Sequence, residues 1–504
     1  MKKLLLILTS IFTILLTSIN NLNTTQASNK DTIVTTFYPI YEFTKQIVGD
    51  QADVELLIPA GTEVHGFEPS TKDMAKIQEA SVFVYQDPNM EMWVDKVLET
   101  TKKDSNSVIK STQNLVLLPG QEEEHHDHDH AGEHHHHAFD PHLWLSPYRS
   151  IKMVENIRNG LINKYPDKKE VFEKNASEYI NKLTALDNEY KEKLSNAKQK
   201  HFVTQHTAFS YLALDYGLKQ VSITGLNADT DPSISRLKEL TSYIKDNEIK
   251  YIYFEENAKK SVAETLAKET GVELSVLNPL ESLTKEQADS GKDYISIMKD
   301  NLANLEKTTS QEGKDIKPEN GEDTTKTVYN GYFEDSQVKD RELSDYEGEW
   351  QSVYPYLKDG TLDQVFDIKS KKTKSMTAQE YKEYYDIGYK TDVEKIVIKG
   401  NTMEFFQNGQ SKKFEYKYSG HKVLTYKKGN RGVRFLFEST DPNAGQFKYI
   451  QFSDHNVAPV KTGHFHIYMG GESHEKLFDE LENWPTYYPS KFSSFEIAQE
   501  MVAH

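Results

Sequence analysis

Between Thr32 and about Leu305 the chain alternates two kinds of pattern. Short runs rich in β-branched and aromatic residues recur as TIVTTF (Thr32–Phe37), VELLIP (Val54–Pro59), SVFVYQ (Ser81–Gln86), HFVTQH (His201–His206), VSITGL (Val221–Leu226), YIYFEE (Tyr251–Glu256) and VELSVL (Val272–Leu277). Stretches with helical periodicity lie between most of them. This alternation predicts βα units and mostly parallel sheets. One helix stands out. Pro166 suits a first helical position, and Phe172, Ala176, Tyr179, Leu183, Leu186, Tyr190 and Leu194 follow at spacings of three and four. The pattern predicts roughly 30 residues of helix, about 45 Å long, in the middle of the α/β region and placed to join two lobes.

The grammar then changes. Glu306 to Thr327 reads EKTTSQEGKDIKPENGEDTTKT, nearly free of apolar residues, and is expected to be a mobile linker. After a helical-looking start and GEW at Gly348–Trp350 come KIVIKG, TMEFFQNG, KKFEYKYSG, HKVLTYKKGN, GVRFLFES and QFKYIQFS. Phe414, Tyr416 and Tyr418 share one face while Glu415 and Lys417 share the other. Several such strands in series predict an antiparallel barrel or sandwich. At the other end, Lys2 and Lys3 precede an apolar stretch from Leu4 to Ile19, and Thr25-Gln26-Ala27 offers small residues before Ser28. That is the grammar of a secretory signal with cleavage near Ala27, the alternative being an uncleaved N-terminal anchor. The expected division is a signal at 1–27, a two-lobed domain at 28–305, a linker at 306–327 and a mainly β domain at 328–504.

The 504 residues are 37% hydrophobic and 11% aromatic, enough to pack cores. Lys+Arg is 60 against Asp+Glu 78, a formal net charge of −18. Such a surface repels phosphates, which argues against nucleic acid and suits a cation. Cysteine is absent, which removes disulfides, thiolate ligands, a Cys nucleophile and a Cys-linked lipid. No later apolar run is long enough to span a membrane.

Nine of the 18 histidines fall in EEEHHDHDHAGEHHHHAFDPHLWLSP, Glu122 to Pro147. An inserted tag, a solvated acidic loop and a metal-collecting loop all fit that run. In the third reading His125, His126, His128, His130, His134, His135, His136 and His137 gather zinc or copper loosely, and the carboxylates concentrate cations around them. A defined site needs fixed ligands. His65, His142, His206 and Glu281 each fall near the predicted end of an element, where ligands of open α/β sheets gather. The β region has its own constellation, FSDHNVAPVKTGHFHIYMGG, Phe452–Gly471. On a strand, His464 and His466 share one face about 7 Å apart, and His455 returns across a turn. Alone, H-x-H is a weak signal.

TFYPIYEFTKQIVGD, LIPAGTEVHGFEPSTKD, DPHLWLSP, TQHTAFSYLALDYGL and LNPLESLT make the span Ile33–Leu305 resemble the metal-specific substrate-binding proteins of ABC importers. That resemblance implies two α/β lobes joined by a long rigid helix, with His65, His142, His206 and Glu281 as ligands. A third His at position 206 and a His-rich loop before DPH are similar to the zinc-specific members; manganese members carry a carboxylate there. Three imidazoles and one carboxylate suit tetrahedral zinc. The SDH and HFHI motifs and ENWPTYYPS make Tyr329–His504 resemble the ZinT zinc-chaperone family. This implies a calycin-like β-barrel with His455, His464 and His466 as ligands. The fusion of the two resembles the AdcA-type zinc-binding proteins of Gram-positive bacteria. It implies a monomeric, non-catalytic receptor that passes Zn²⁺ to an ABC-type permease, at the extracellular face or secreted. Members of that type commonly carry a lipid on a Cys that this chain lacks. The competing readings are a manganese or broad divalent-metal receptor, a zinc buffer or adhesin without transport, and a secreted zinc hydrolase. The last is disfavoured because HEKLF at His474 lacks the second His of H-E-x-x-H.

Overall fold

A computed structural model describes residues 30–120, 139–226, 232–256, 261–316, 326–426 and 429–503. The signal-like segment and the histidines from His125 to His137 lie outside the described residues.

Two small parallel sheets carry the first half of the chain. In the first, β1 (Thr32–Thr35), β2 (Asp53–Leu56), β3 (Val82–Tyr85) and β4 (Val108–Lys110) lie in the order β2-β1-β3-β4. In the second, β5 (His201–Thr204), β6 (Lys219–Ser222), β7 (Tyr251–Phe254) and β8 (Glu273–Val276) repeat that order as β6-β5-β7-β8. Most of the apolar runs overshoot the strands at their C-terminal ends. HFVTQH stops pairing at Thr204, which frees Gln205 and His206 from the ladder. In both sheets the chain winds outward from the first strand in two directions. That leaves a crevice at the strand ends where the winding reverses, the usual ligand position of open α/β sheets.

Pro166–Lys168 forms a separate 3-10 turn, and the long helix runs from Lys169 to Leu194. Its 26 residues span about 39 Å at 1.5 Å per residue. Each of the seven apolar positions named above is buried. At its start Asn175 donates to the Ile47 carbonyl at 3.0 Å, and near its end the Tyr190 hydroxyl donates to the Met298 carbonyl at 2.6 Å. The helix thus fastens to the first lobe at one end and to the helix Tyr294–Thr309 at the other.

The second half closes into an antiparallel barrel. β9 (Gly348–Ser352) pairs with β10 (Val393–Lys399), then follow β11 (Thr402–Gln407), β12 (Gln410–Thr425), β13 (Arg431–Ser439), β14 (Tyr449–Ser453), β15 (Phe465–Gly470) and β16 (Thr486–Pro489), which pairs back to β9. KKFEYKYSG and the HKVLT that follows it belong to one strand, β12. The register shifts between Tyr418 and Gly420, and Gly420 sits at φ +101. What reads as a turn is a β-bulge, and glycine supplies the positive φ the shift needs. Phe435, Phe437, Ile450, Phe452, Phe465 and Ile467 fill the interior.

The two halves do not hang on a free tether. The helix Tyr294–Thr309 continues past Glu306, and ion pairs Lys198–Glu312 and Lys200–Asp315 tie down the residues that follow it. Val365, Phe366, Ile497 and Ala498 of the second half belong to one continuous apolar core with Leu117, Tyr211 and Leu212 of the first. Gln364 and Gln499 reach across to the main chain of Asn114, Val116 and Leu117 at 2.7–3.1 Å. Lys371 pairs at 2.9 Å with the buried carboxylate of Asp215, which also takes Arg149 at 2.8 Å and the Ser146 hydroxyl at 2.7 Å. The amphipathic helices Asp363–Thr373 and Ser494–Ala503 need apolar cover, and the two-lobed body supplies it.

Candidate metal centres

His65, His142, His206 and Glu281 meet between the lobes. His65 follows β2. His142 opens a 3-10 turn, Leu143–Leu145. His206 lies two residues beyond β5, and Glu281 follows Leu280, which adopts φ +57. Facing nitrogens of His142 and His65 lie 3.2 Å apart, and those of His206 and His142 3.4 Å. One oxygen of Glu281 stands 3.4, 3.6 and 3.4 Å from the same atoms of His65, His142 and His206. A tetrahedron with Zn–ligand bonds of 2.0–2.1 Å has edges of about 3.3 Å. These five edges therefore match that of a tetrahedral zinc shell. The Glu281 oxygen is buried without a hydrogen-bond partner. Such an atom is costly to bury unless a cation meets it.

Two carboxylates absent from the sequence reading stand behind the imidazoles. Asp140 Oδ1 takes His142 Nδ1 at 2.8 Å and the His142 backbone N–H at 2.9 Å. Glu255, just past β7, pairs with His206 Nδ1. Each leaves the opposite ring nitrogen facing the centre, the arrangement that fixes the tautomer of a metal-bound histidine. Gln86, just past β3, donates to the Pro141 carbonyl and steadies the turn that carries His142. Burial alone would lower the His206 pKa, but Glu255 and then Glu281 outweigh it and hold it well above the ordinary value. For His142 burial likewise opposes Asp140, and Asp140 prevails, so its pKa is raised. Burial would raise Glu281, but the imidazoles, His65 foremost, keep its carboxyl well below the usual range.

The second cluster is His455, His464 and His466, with donor atoms within 4.8 Å of one another. Phe465 and Ile467 point into the barrel, so His464 and His466 share its outer face. His455 sits at φ +65, an uncommon conformation for a side-chain-bearing residue. The preceding Asp454 is clamped by Arg341 at 2.7 and 2.8 Å, which holds the turn in place. Thr486 holds His466 Nδ1 at 2.7 Å, and His464 stacks on Tyr488 with 5.0 Å between ring centroids. Trp484 packs edge-on to His466 at 5.5 Å. Gly388 permits this, because a Cβ there would lie 2.4 Å from the indole. Burial first, then His455 and Arg434, push the His466 pKa down to about 3. Its imidazole is therefore neutral, with a lone pair for a metal. A cavity of about 600 Å³ opens beside the three rings.

Comparison with known proteins follows this two-part division. A family model described as zinc-uptake complex component A, periplasmic, matches residues 33–308. One described as ZinT (YodA), periplasmic lipocalin-like zinc-recruitment, matches residues 324–504. Zinc-binding lipoprotein AdcA of Streptococcus pneumoniae is 64% identical over 504 residues, covering 100% of both chains. Zinc-binding protein AdcA of Streptococcus pyogenes is 56% identical over 515 residues, again covering 100% of both. The crystal structure of Zn(II)-bound AdcA from Streptococcus pneumoniae superposes with a TM-score of 0.86 at 64% identity, covering 94% of this chain and 100% of that one.

Proposed function

Because this chain belongs to the AdcA family of zinc-binding proteins, we propose that it captures extracellular Zn²⁺ and delivers it to an ABC-type zinc permease. The observation that carries the reading is the interlobe ligand geometry, with edges of 3.2–3.6 Å among three imidazoles and one carboxylate. Zinc is the cargo. His65, His142, His206 and Glu281 bind it, and Asp140 and Glu255 orient two of the rings. Four protein donors complete a tetrahedron and leave no position for an attacking water, so the centre holds and releases metal without hydrolytic chemistry. His455, His464 and His466 form a second zinc site. With one protein donor fewer it exchanges metal more readily, and it collects scarce zinc that then passes to the interlobe site. The His-rich loop serves as an outer collector.

The receptor works outside the cell as a monomer. No described helix is long and apolar enough to cross a membrane. The sequence contains no cysteine.

Zinc-limited growth tests the reading. A strain carrying His206→Ala should fail to grow at low zinc and recover when zinc is added. One carrying Ala at His455, His464 and His466 together should show a milder, zinc-rescued defect. Normal growth of the His206→Ala strain at every zinc level would overturn the import role.

A further inference from the structure

Three arginines are buried in the described residues: Arg149, Arg341 and Arg434. Two are neutralised. Arg149 pairs with Asp215 at 2.8 Å, and Arg341 with Asp454 at 2.7 Å. Arg434 is 1% exposed, yet no carboxylate of the described residues forms an ion pair with it. Its hydrogen-bond partners are neutral, Gln451 Oε1 at 3.3 Å, the Glu480 carbonyl at 3.2 Å and the Tyr426 hydroxyl, and the charge of Glu480 acts on it without forming an ion pair. Its Nε has no acceptor. The guanidinium carbon lies over Tyr468, 3.2 Å from the ring centroid. A buried guanidinium stays charged, and leaving it without an anion is costly.

Arg434 lines the same cavity as the three histidines. Its volume of about 600 Å³ falls in the range of small-molecule pockets. Tyr385, Tyr389 and Trp484 contribute to its walls, an apolar surface with hydroxyl groups at intervals. Three imidazoles and one guanidinium without an ion-pair partner, on residues that line one cavity, provide the groups of a two-part receptor, for a metal and for an anionic group attached to it. A planar carboxylate matches the fork of N–H donors on Arg.

We propose that this cavity admits zinc together with a small organic acid, the metal held by His455, His464 and His466 and a carboxylate of the acid received by Arg434. The inference rests on the second zinc site proposed above. It assigns that site a ligand class: small carboxylate chelates of zinc, the form in which a scarce metal is carried by organic acids. Zinc enters with its carboxylate escort, and the acid is left behind when the metal moves on.

Malonate, a compact dicarboxylate, serves as the probe, with Co²⁺ replacing zinc in both sites of the full chain. Tetrahedral Co²⁺ absorbs in the visible, and its bands report its ligands. The interlobe site is buried with four protein donors and should stay silent. Added malonate should shift the bands saturably, and chloride at equal ionic strength should not. In Arg434→Met the half-saturating malonate concentration should rise about tenfold, as expected for losing a charge-assisted carboxylate contact, and Arg434→Lys should fall between. Metal content without malonate should be unchanged in both. A chain that holds two metals but shows no saturable malonate shift refutes the inference and leaves the zinc site standing. That arm needs only the unaltered chain, so it decides even where Arg434→Met fails to fold. Equal half-saturation in a folded Arg434→Met also refutes it. Only one bound metal per chain would overturn the second zinc site, and the inference with it.

Discussion

Replacing Glu255 by Gln separates the charge behind His206 from the shape of the site. His206 is fully buried and Glu255 is 6% exposed, so little water screens the contact. A hydrogen bond to a charged group contributes about 1.5–3 kcal/mol, and altering such outer partners lowers metal affinity about 10- to 100-fold. Gln keeps the volume and one acceptor oxygen, so only the charge is lost. The expected fall is at the low end, about tenfold or about 1.4 kcal/mol. The same carboxylate holds the His206 pKa well above its ordinary value, so it also strengthens zinc's competitor, the proton. Zinc needs the neutral ring, and affinity is lost as pH falls through that raised pKa. In Glu255→Gln the pKa drops, protons compete less, and the shortfall against the unaltered chain should narrow in acid. The assay is zinc competition against a chelator from mildly alkaline to mildly acidic pH. It uses the full chain with Ala at His455, His464 and His466, so that only the interlobe site reports. An affinity within twofold of the parent at alkaline pH would refute the contribution of the Glu255 charge. A loss as large as that of His206→Ala would show that Gln had disrupted the fold of the site.

Four further outcomes follow from the geometry. His142→Ala should abolish tight binding between the lobes, since the remaining donors cannot complete the tetrahedron, and metal analysis should find zinc only in the barrel site. Calorimetry in buffers of different ionisation enthalpy should detect proton release when zinc enters the interlobe site near neutral pH. His142 and His206, with raised pKa values, supply those protons, whereas His466 at about 3 supplies none. Lys371→Met removes one of two cations from the buried Asp215 and should lower unfolding stability by about 1–2 kcal/mol in denaturant titration, with Lys371→Arg close to the parent. Deleting Glu122–His137 should leave interlobe affinity unchanged and slow zinc uptake when metal is scarce, by stopped-flow competition.

Much of this was legible in the residues. The parallel-sheet lobes follow from the alternating runs, and the long helix from seven apolar positions at regular spacing. His65, His206 and Glu281 stand just past strands, where the crevice of an α/β sheet lies. Asp140 and Glu255 escaped notice because their role depends on contacts made in space. Even so, Glu255 is the first of the two glutamates that close the run YIYFEE, and a charge at the C-terminal end of a buried strand is a readable signal. β4, with three residues, is too short to show periodicity. The choice between barrel and sandwich hinged on the pairing of β16 with β9, two strands whose short sequences do not specify each other. Docking of the halves was hidden for a related reason. Amphipathicity tells that the helix Asp363–Thr373 needs cover, but not what provides it.

That docking has a mechanical consequence. Gln364 and Gln499 grip the chain just after β4 in the first lobe, while Lys371 grips Asp215 just before β6 in the second. The barrel domain is therefore a splint laid across a joint. If the lobes swing apart about the long helix, these contacts must stretch or break, so the work of opening the jaw includes prising off the splint. Of the four interlobe residues, His142 and His206 are fully buried, while the side chains of His65 and Glu281 keep 10% and 9% exposure. His65 rides on the loop after β2, so where the splint holds the lobes, that loop is the part of the cage left to move.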